Sequence, residues 1–194
     1  MRYACLPSPL GPVFLAWSSE GLCAVSLGAR DQEQFRRELE QARPGAVVEA
    51  CRDPGERESW RQRLDDWFAG RPVPVALDLQ GLTPFQRAVL QEVARIPRGQ
   101  TLSYREVARR VGKPGAARAV GQVMAKNPVP LFVPCHRVVR ADGGLGEYSG
   151  GGPAVKRRLL ELEGAQTGQA GRAQSGTGRP GARAAGSAAR AGRR

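Results

Sequence analysis

The stretch SYREVARRVGKPGAARAVGQVMAKNPVP, residues 103–130, decides the fold of the second half of this 194-residue chain. Ser103 and Glu106 have the spacing of a capping box, which predicts the start of a short helix. The sequence GKPG at residues 112–115 is typical of a tight turn. A second helix is then expected to run as far as Asn127, which precedes a proline. Two helices joined by a four-residue turn that contains glycine predict a helix-turn-helix.

The second helix of this motif has an unusual composition for a reader of the major groove. Its sequence AARAVGQVM, residues 116–124, consists mostly of small residues and offers few groups that could read base edges. Small residues allow a helix to approach a duplex closely. We therefore expect it to dock on the DNA backbone or in the minor groove.

Another helix is predicted directly upstream of the motif. Thr83 has the character of an N-cap, Pro84 suits the first helical position, and Gln86 completes a capping box. The apolar residues that follow recur at helical spacing and predict the buried face: Phe85, Val89, Val93 and Ile96. Together these segments predict a mainly α domain over residues 81–164.

The first 80 residues predict a small α/β domain. The segments 8–17 and 22–28 are rich in strand-forming residues and are separated by a turn, which predicts a β-hairpin. Asp31 is placed to cap a helix, and a second helix follows. The apolar faces of these helices are predicted to hold Phe35, Leu39 and Ala42 in the first, and Trp60, Leu64, Trp67 and Phe68 in the second. Residues 73–81, VPVALDLQG, predict a short strand that leads into the next domain.

The net charge favours a polyanionic partner. The chain has 30 Lys and Arg residues against 18 Asp and Glu residues, a formal charge of +12. Six arginines and no acid fall within residues 165–194, so the rest of the chain is only moderately basic. This tail consists almost entirely of Gly, Ala, Arg, Ser, Gln and Thr, and we expect it to be disordered. Its arginines could add weak, salt-sensitive phosphate contacts, or the tail could have no function.

The cysteines and the single histidine give no sign of a metal site. The four cysteines lie at positions 5, 23, 51 and 135, without the CxxC or histidine-bearing clusters of a zinc site. A disulfide framework is also not expected in a chain of this length. Prolines and a glycine interrupt residues 3–19, unlike a signal peptide, and no stretch is apolar enough to span a membrane. We therefore expect a cytoplasmic protein.

The segment LFVPCHRVV, residues 131–139, carries the chemistry. It is apolar and rich in strand formers, which predicts a buried strand, yet Cys135, His136 and Arg137 lie in its middle. Buried polar groups cost stability unless they have partners or a function. Cys135 could simply be a small core residue, and His136 a satisfied one. The position of the single histidine beside this cysteine favours a reactive pair.

An imidazole next to the thiol could accept its proton, because a free thiol with a pKa of about 8.5 is mostly protonated near neutral pH. Consecutive residues of a strand point to opposite faces, so an extended backbone would keep His136 from touching Cys135. Proton transfer would then need a bridging water or a local turn. A cysteine-protease arrangement is disfavoured, because no second histidine exists to supply a base from elsewhere.

The segments PCHRVV (134–139), GEYSGG (146–151) and residues 103–130 closely resemble the O6-alkylguanine-DNA alkyltransferases, also called methylated-DNA–protein-cysteine methyltransferases. The resemblance is close over residues 83–164 and looser over residues 1–80. It implies a ribonuclease-H-like α/β domain (residues 1–80, a small sheet plus helices). A winged-helix-like DNA-binding and alkyl-acceptor domain with a helix-turn-helix is implied for residues 81–164.

The resemblance also implies an activity, which is DNA repair by direct damage reversal. The damaged nucleotide is flipped out of the duplex, and Cys135 takes the alkyl group from O6-alkylguanine, with O4-alkylthymine as a further possible substrate. The transfer is irreversible, so each molecule acts once. His136 would relay the thiol proton through a water, and Glu163 would orient His136. Tyr104 would crowd the 3′ phosphate and protonate the departing guanine.

The remaining site residues are also implied by the resemblance. Arg118, next to Ala117 on the DNA-binding helix, would take the place of the extruded base, and Asn127 would tie the helix-turn-helix to the active-site loop. The residues that would form the substrate pocket are Met124 at its floor, the carbonyls of Cys135 and Val138, and the closing loop with Tyr148, Ser149 and Gly150. Ser149 would bond the guanine oxygen.

The implied partner is double-stranded DNA with an alkylated guanine, bound through the minor groove by a monomer, with no membrane and no cofactor. In a bacterium the protein would be associated with the nucleoid. Some family members hold zinc with two cysteines and two histidines, but this chain has one histidine, so no metal is expected. The rival functions are a damage sensor of the same fold, which would lack the cysteine, a DNA-binding regulator and a cysteine hydrolase.

Overall fold

The computed structural model describes residues 1–165. The tail predicted to be disordered is residues 165–194, and all of it except Ala165 lies outside the described residues. Within the described part no helix is both long and apolar enough to cross a membrane.

The first half of the chain is built on a four-stranded sheet. Its strands are β1 (Arg2–Leu6), β2 (Val13–Ser18), β3 (Gly21–Ser26) and β4 (Glu49–Ala50). Their order is β3-β2-β1-β4, with antiparallel pairs along the first three strands and a parallel pair between β1 and β4. The predicted hairpin is confirmed as β2–β3, whereas β1 and β4 were not predicted.

Two helices accompany this sheet; the first begins at the predicted cap, whereas the second begins at Pro54, inside the loop that the sequence predicts up to residue 56. In α1 (Gln32–Ala42) the Asp31 side chain accepts the N–H of Gln34, and α2 (Pro54–Phe68) is capped by Asp53. Phe35 and Leu39 of α1 are buried as predicted, as are Trp60, Leu64 and Trp67 of α2, while Phe68 is half-buried. The prediction for Ala42 is wrong, because this last residue of α1 is exposed.

The strand predicted for residues 73–81 is wrong in most of its length. Only Leu77 forms a β-bridge, with Leu22 of β3. Leu22 donates its N–H to the carbonyl of Ala76, and Asp78 donates its N–H to the carbonyl of Leu22, both at 2.9 Å. Pro72 and Pro74 have no N–H to donate, which restricts ladder formation along the rest of this segment.

The second half is mainly helical. Its elements are α3 (Pro84–Ala94), β5 (Leu102–Ser103), α4 (Tyr104–Arg110), α5 (Ala117–Ala125), β6 (Val138–Val139) and α6 (Gly152–Leu162). Both predicted capping boxes, at Thr83 and Ser103, are present. Helices α4 and α5 form the predicted helix-turn-helix, in which Gly112 supplies the left-handed backbone of the turn with a φ of 72°.

The strand predicted for residues 131–139 is wrong over most of its length. Cys135–Arg137 forms a single turn of 3-10 helix, and only Val138–Val139 pairs as a strand, parallel to β5. Pro130 and Pro134 cannot donate to a ladder. The side chain of Asn127 accepts the N–H of Val129 at 3.1 Å and donates to the carbonyl of Val133 at 2.9 Å, which satisfies the backbone locally.

The two halves share one apolar core. It contains Trp17 and Leu64 from the first half together with Val89 and Val133 from the second. A backbone hydrogen bond of 2.8 Å from Val25 to the carbonyl of Pro128 also joins them. The segment 131–139, which contains Val133, is therefore packed against both halves of the chain.

Replacement of Leu64 by alanine is expected to lower the free energy of unfolding by about 2–5 kcal/mol, because it leaves a cavity where a fully buried side chain was. Val47→Ala is the matched control, since Val47 is 69% exposed. Urea unfolding of both variants, followed by circular dichroism, measures the difference. Equal losses in the two variants would contradict the assignment of Leu64 to the core.

Candidate active site

Cys135 is the first residue of the 3-10 turn, and its side chain is buried. The N–H of Cys135 is bonded to the carbonyl of Val133 at 2.8 Å, and that of Arg137 to the carbonyl of Pro134 at 2.9 Å. Asn127 holds the same loop from the end of α5 through Val133. The backbone at Cys135 therefore forms a local turn, one of the two alternatives that the sequence analysis gives for this segment. Even so, no side-chain hydrogen bond joins Cys135 to His136 within residues 1–165.

A buried charged network lies behind the thiol. Glu163, just after α6, accepts a hydrogen bond at 3.0 Å from Nε2 of His136. It also accepts two from Arg137, at 2.8 Å from Nε and 2.7 Å from a terminal nitrogen. The other terminal nitrogen of Arg137 donates to the carbonyl of Ile96 at 2.6 Å. Burial alone raises the pKa of Glu163, but the bonds from His136 and Arg137 outweigh it and lower this pKa to about 2.

The charge on Glu163 fixes the tautomer of His136. An ionised carboxylate only accepts hydrogen bonds, so Nε2 carries the imidazole proton and Nδ1 keeps a free lone pair. Nδ1 is buried and has no hydrogen-bond partner among the described residues. Burial lowers the pKa of His136 despite the nearby carboxylate. The imidazole is therefore neutral near pH 7, with an acceptor nitrogen available.

The thiol of Cys135 is largely protonated at rest. Burial raises its pKa, and this effect is opposed by the Asn127 side chain and by the charge of Lys156. Lys156 lies on α6, is fully buried and donates to the carbonyl of Val138 at 2.6 Å. Burial lowers the pKa of Lys156 to about 8, while Cys135 opposes that shift. The cluster thus contains a protonated thiol, a neutral imidazole and a nearby ammonium.

Tyr148 packs against the imidazole of His136. Its ring meets the imidazole edge-on, with centroids 6.3 Å apart, and its buried hydroxyl has no partner among residues 1–165. Gly150 permits this placement, because a Cβ at this position would lie 2.7 Å from the Tyr148 ring. A Cβ at Gly151 would lie 2.8 Å from Val155, and its φ of 115° suits glycine alone. The glycine run therefore packs the loop closely against the start of α6.

Tyr104 connects this cluster to the helix-turn-helix. Its ring lies 3.9 Å from the position of a Cβ on Gly121 of α5, and Lys156 Nζ lies 6.0 Å from the ring centroid. Burial and the nearby Cys135 raise the pKa of Tyr104, which keeps its hydroxyl protonated. Arg118, one turn before Gly121, is exposed, and Ala117 is half-buried. These two residues thus lie on the helix surface rather than in the buried cluster.

The remaining predicted pocket residues surround the turn. Met124 is buried on α5, and its carbonyl accepts a hydrogen bond of 3.4 Å from Ser149. Val138 is fully buried, and its carbonyl already binds Lys156. The structure therefore brings Cys135, His136 and Glu163 together, with Asn127, Tyr148, Val138 and Met124 around them. Within residues 1–165 no group of three or more His, Cys, Asp and Glu side chains is placed to hold a metal ion.

The sequence reasoning missed one charged member of the site, Lys156, and did not find the partners of a second, Arg137. Lys156 precedes Leu159 and Leu160 by three and four residues, so the helical period places it on the buried face of α6, and this signal was available. Arg137 was noted as a buried polar residue, but its partners could not be named. Glu163 lies 26 residues away and the Ile96 carbonyl 41, and no local pattern reports such separations.

Comparisons with known proteins agree on one family. Residues 84–165 match the model described as 6-O-methylguanine DNA methyltransferase, DNA binding domain. The methylated-DNA–protein-cysteine methyltransferase of Mycobacterium bovis is 41% identical over 165 residues, covering 84% of this chain and 92% of the relative. The Mus musculus protein of the same name is 37% identical over 177 residues, covering 87% and 84%. Mycobacterium tuberculosis OGT in complex with DNA aligns with a TM-score of 0.69 at 38% identity, covering 84% of this chain and 93% of that chain.

Glu163→Gln is expected to cost about 3 kcal/mol of stability near pH 7, because it leaves the buried charge of Arg137 without its counter-ion. The pKa of Glu163 is about 2 in the folded protein, against about 4.3 in an unfolded chain. Its contribution is therefore complete above pH 4.3 and is lost as the pH falls towards 2. Denaturant unfolding at pH 7, 4 and 3 should show a smaller acid loss in the variant than in the wild type.

Glu161→Gln is the matched control, because the Glu161 side chain is more than half exposed and only weakly paired with Arg158, at 3.7 Å. It should follow the wild type at every pH. An acid loss in Glu163→Gln as large as that of the wild type would refute the role of Glu163 as the ionised centre of the network.

Proposed function

The chain belongs to the methylated-DNA–protein-cysteine methyltransferases, which repair DNA by alkyl transfer to a cysteine, and we propose that its acceptor is Cys135. The observation that carries this proposal is the buried arrangement of Cys135 with His136 and Glu163. No other cysteine in residues 1–165 lies beside a histidine, since His136 is the only one in the chain. We propose O6-alkylguanine in duplex DNA as the substrate, with O4-alkylthymine as a second one.

The charge state of the network supports a proton path for the proposed reaction. Nδ1 of His136 accepts the Cys135 proton through a water, and Nε2–H remains bonded to the Glu163 carboxylate. The charge of Lys156 and the Asn127 side chain favour the thiolate that forms. Burial works against the charged imidazole, so the ionised Glu163 is needed to stabilise it while the substrate is present.

The transfer itself is a displacement at the alkyl carbon. The thiolate sulfur forms a bond to this carbon as the bond between carbon and the guanine oxygen breaks, and the electron pair of that bond stays on the base. The hydroxyl of Tyr104, which is protonated, supplies a proton to the departing guanine. The product on Cys135 is a thioether, which water does not cleave near neutral pH, so each molecule reacts once.

We propose that α5 docks in the minor groove of the duplex and that Arg118 replaces the flipped base in the stack. The exposure of Arg118 and the small residues of α5 support this placement, since both permit a close approach to DNA. Ala117 would then face the backbone. Tyr104, which packs against Gly121 of the same helix, would lie between the duplex and Cys135.

The flipped base would enter beside the turn that carries Cys135. Met124 would form the floor, and the buried, unpartnered hydroxyl of Tyr148 supports a pocket that receives polar atoms. Ser149 would bond the guanine oxygen, with Gly150 allowing the loop to close. The carbonyls of Cys135 and Val138 would accept the exocyclic amino group, and Val138 would use the lone pair that Lys156 leaves free.

We also propose the finer architecture that the resemblance implies. The strand order β3-β2-β1-β4, with its parallel β1–β4 pair, supports a ribonuclease-H-like domain over residues 1–80. The helix-turn-helix followed by the β5–β6 pair supports a winged-helix-like domain over residues 81–164. We propose a monomer that acts in the cytoplasm, on the nucleoid in a bacterium.

The first test is the intact mass of the full chain after incubation with duplex DNA that carries one O6-methylguanine. We expect the protein to gain the mass of one methylene, with no further gain in excess DNA. Cys135→Ala should gain none, whereas Cys51→Ala, which removes another buried cysteine, should react like the wild type. Tight binding without a mass change would indicate a damage sensor, and repeated turnover would indicate a hydrolase.

The role of Arg118 can be tested by a comparison of two substrates. Arg118→Ala should slow methyl transfer from the duplex by about tenfold, because the flipped state loses the side chain that fills the stack. Transfer from the free O6-alkylguanine base needs no flipping and should keep its rate. Arg110→Ala, at an exposed arginine of α4 bonded to Glu92, is the control. An equal loss on both substrates would place Arg118 in the chemistry instead.

A further inference from the structure

Trp67, at the end of α2, reaches from the first half of the chain into the active site. Its indole N–H donates to the carbonyl of Leu131 at 3.1 Å, four residues before Cys135. Its ring also meets the imidazole of His136 edge-on, with centroids 6.0 Å apart. One side chain thus contacts both the loop that leads to the acceptor thiol and the imidazole beside it.

Arg98 holds this indole in place and extends the contact to Glu163. Its guanidinium lies 5.8 Å from the centre of the Trp67 ring and donates to the carbonyl of Trp67 at 3.2 Å. A second nitrogen donates at 3.0 Å to the carbonyl of Leu162, the residue directly before Glu163. Arg98 therefore joins the end of α2 to the end of α6.

The same pair lines a solvent-filled groove beside the site. Trp67 and Arg98 line an open groove of about 490 Å³, together with Arg71, Phe132 and Pro134. His136 is fully buried and does not line this groove, whereas Trp67 lines it and also packs edge-on against His136. The groove is large enough for several waters, so loss of the indole would open a path for water towards this imidazole.

We propose that Trp67 and Arg98 are positioning residues for the alkyl transfer. Trp67 fixes the Leu131 carbonyl and the imidazole of His136 and keeps solvent away from that imidazole. Arg98 fixes Trp67 and the end of α6 at Leu162, directly before Glu163. Neither residue touches the alkyl group. The inference rests on the proposed role of Cys135 and His136, and it assigns the first half of the chain a part in the reaction.

Three variants of the full chain test the role of Trp67. W67F keeps an aromatic ring and removes the N–H, while W67L removes the ring as well. W60F is the matched control, because Trp60 is equally buried on the same helix and packs against Trp17, and its N–H has no hydrogen-bond partner among residues 1–165. Each is mixed with a saturating excess of O6-methylguanine duplex, and methyl transfer is followed in a single turnover by intact mass.

We expect W67F to transfer about tenfold more slowly than the wild type, and W67L more slowly still, because the relay loses its fixed geometry. W60F should stay within about twofold of the wild type. The Kd for the duplex should be the same in all four proteins. R98M, which keeps the apolar stem and loses both carbonyl bonds, should show the same loss of rate at unchanged Kd.

The pH profile separates a positioning role from a general loss of stability. In W67L water reaches the imidazole, so the pKa of His136 should rise towards its ordinary value of about 6.5. As the pH is lowered, the transfer rate of W67L should therefore fall at a higher pH than that of the wild type. The pH at which the rate of W60F falls should equal that of the wild type. If W67L does not fold, the transfer rate of W67F relative to W60F tests the positioning role alone.

The outcomes distinguish the two proposals. If the wild type transfers its methyl group and W67F does so at the rate of W60F, the positioning role is refuted and the proposed function stands. An acid limb of W67L that coincides with that of the wild type would refute the shielding of His136. If the wild type gains no mass on Cys135, the proposed function fails, and the positioning role fails with it.

Discussion

The site depends on the ionised carboxylate of Glu163, which is enclosed by protein. A buried carboxylate is tolerated only where opposite charge and hydrogen bonds compensate the loss of water, and here Arg137 and His136 supply both. Arg137 in turn needs the carbonyl of Ile96 for its remaining nitrogen. The end of α6, the 3-10 turn and the segment after α3 must therefore come together before any of these charges is stable in the interior. The position of Cys135 is fixed by this requirement.

The same burial has opposite effects on the two reacting groups. It raises the pKa of Cys135, which keeps the thiol protonated, and it lowers the pKa of His136, which keeps the imidazole neutral. Without substrate, the protein thus holds a protonated, unreactive thiol beside a neutral imidazole that can accept a proton. Because only the thiolate reacts readily with oxidants and electrophiles, this state would protect the proposed acceptor cysteine until it meets its substrate. Lys156 and Asn127 act against the effect of burial, so they would favour the thiolate in the proposed reaction.

The local features of the fold could be read from the sequence, and the contacts between distant segments could not. Capping boxes at Thr83 and Ser103 and the glycine turn at Gly112 are short-range signals, and the structure confirms each of them. The strand predicted through Cys135 is wrong because an apolar run does not distinguish a strand from a buried turn. Pro130 and Pro134 have no N–H to donate to a ladder, which disfavours the strand. The resemblance supplied Glu163 and Tyr104, which residue patterns alone would have left as a surface acid and a core aromatic. Neither source indicated Trp67 as more than core.

The backbone at Leu131 shows why the first half of the chain belongs to the site. Leu131 has a φ of 75°, the one positive value at a non-glycine residue in the described part of the chain. Such a conformation costs about 1–2 kcal/mol and persists only where the surroundings determine it. Two side chains from outside the loop do so, since Trp67 bonds the carbonyl of Leu131 and Asn127 bonds the carbonyl of Val133. One comes from α2 and the other from the end of α5, so the loop that carries Cys135 is held between the two halves. A change in either half is therefore expected to shift the loop that carries the thiol, through Leu131 from the first half and through Val133 from the second.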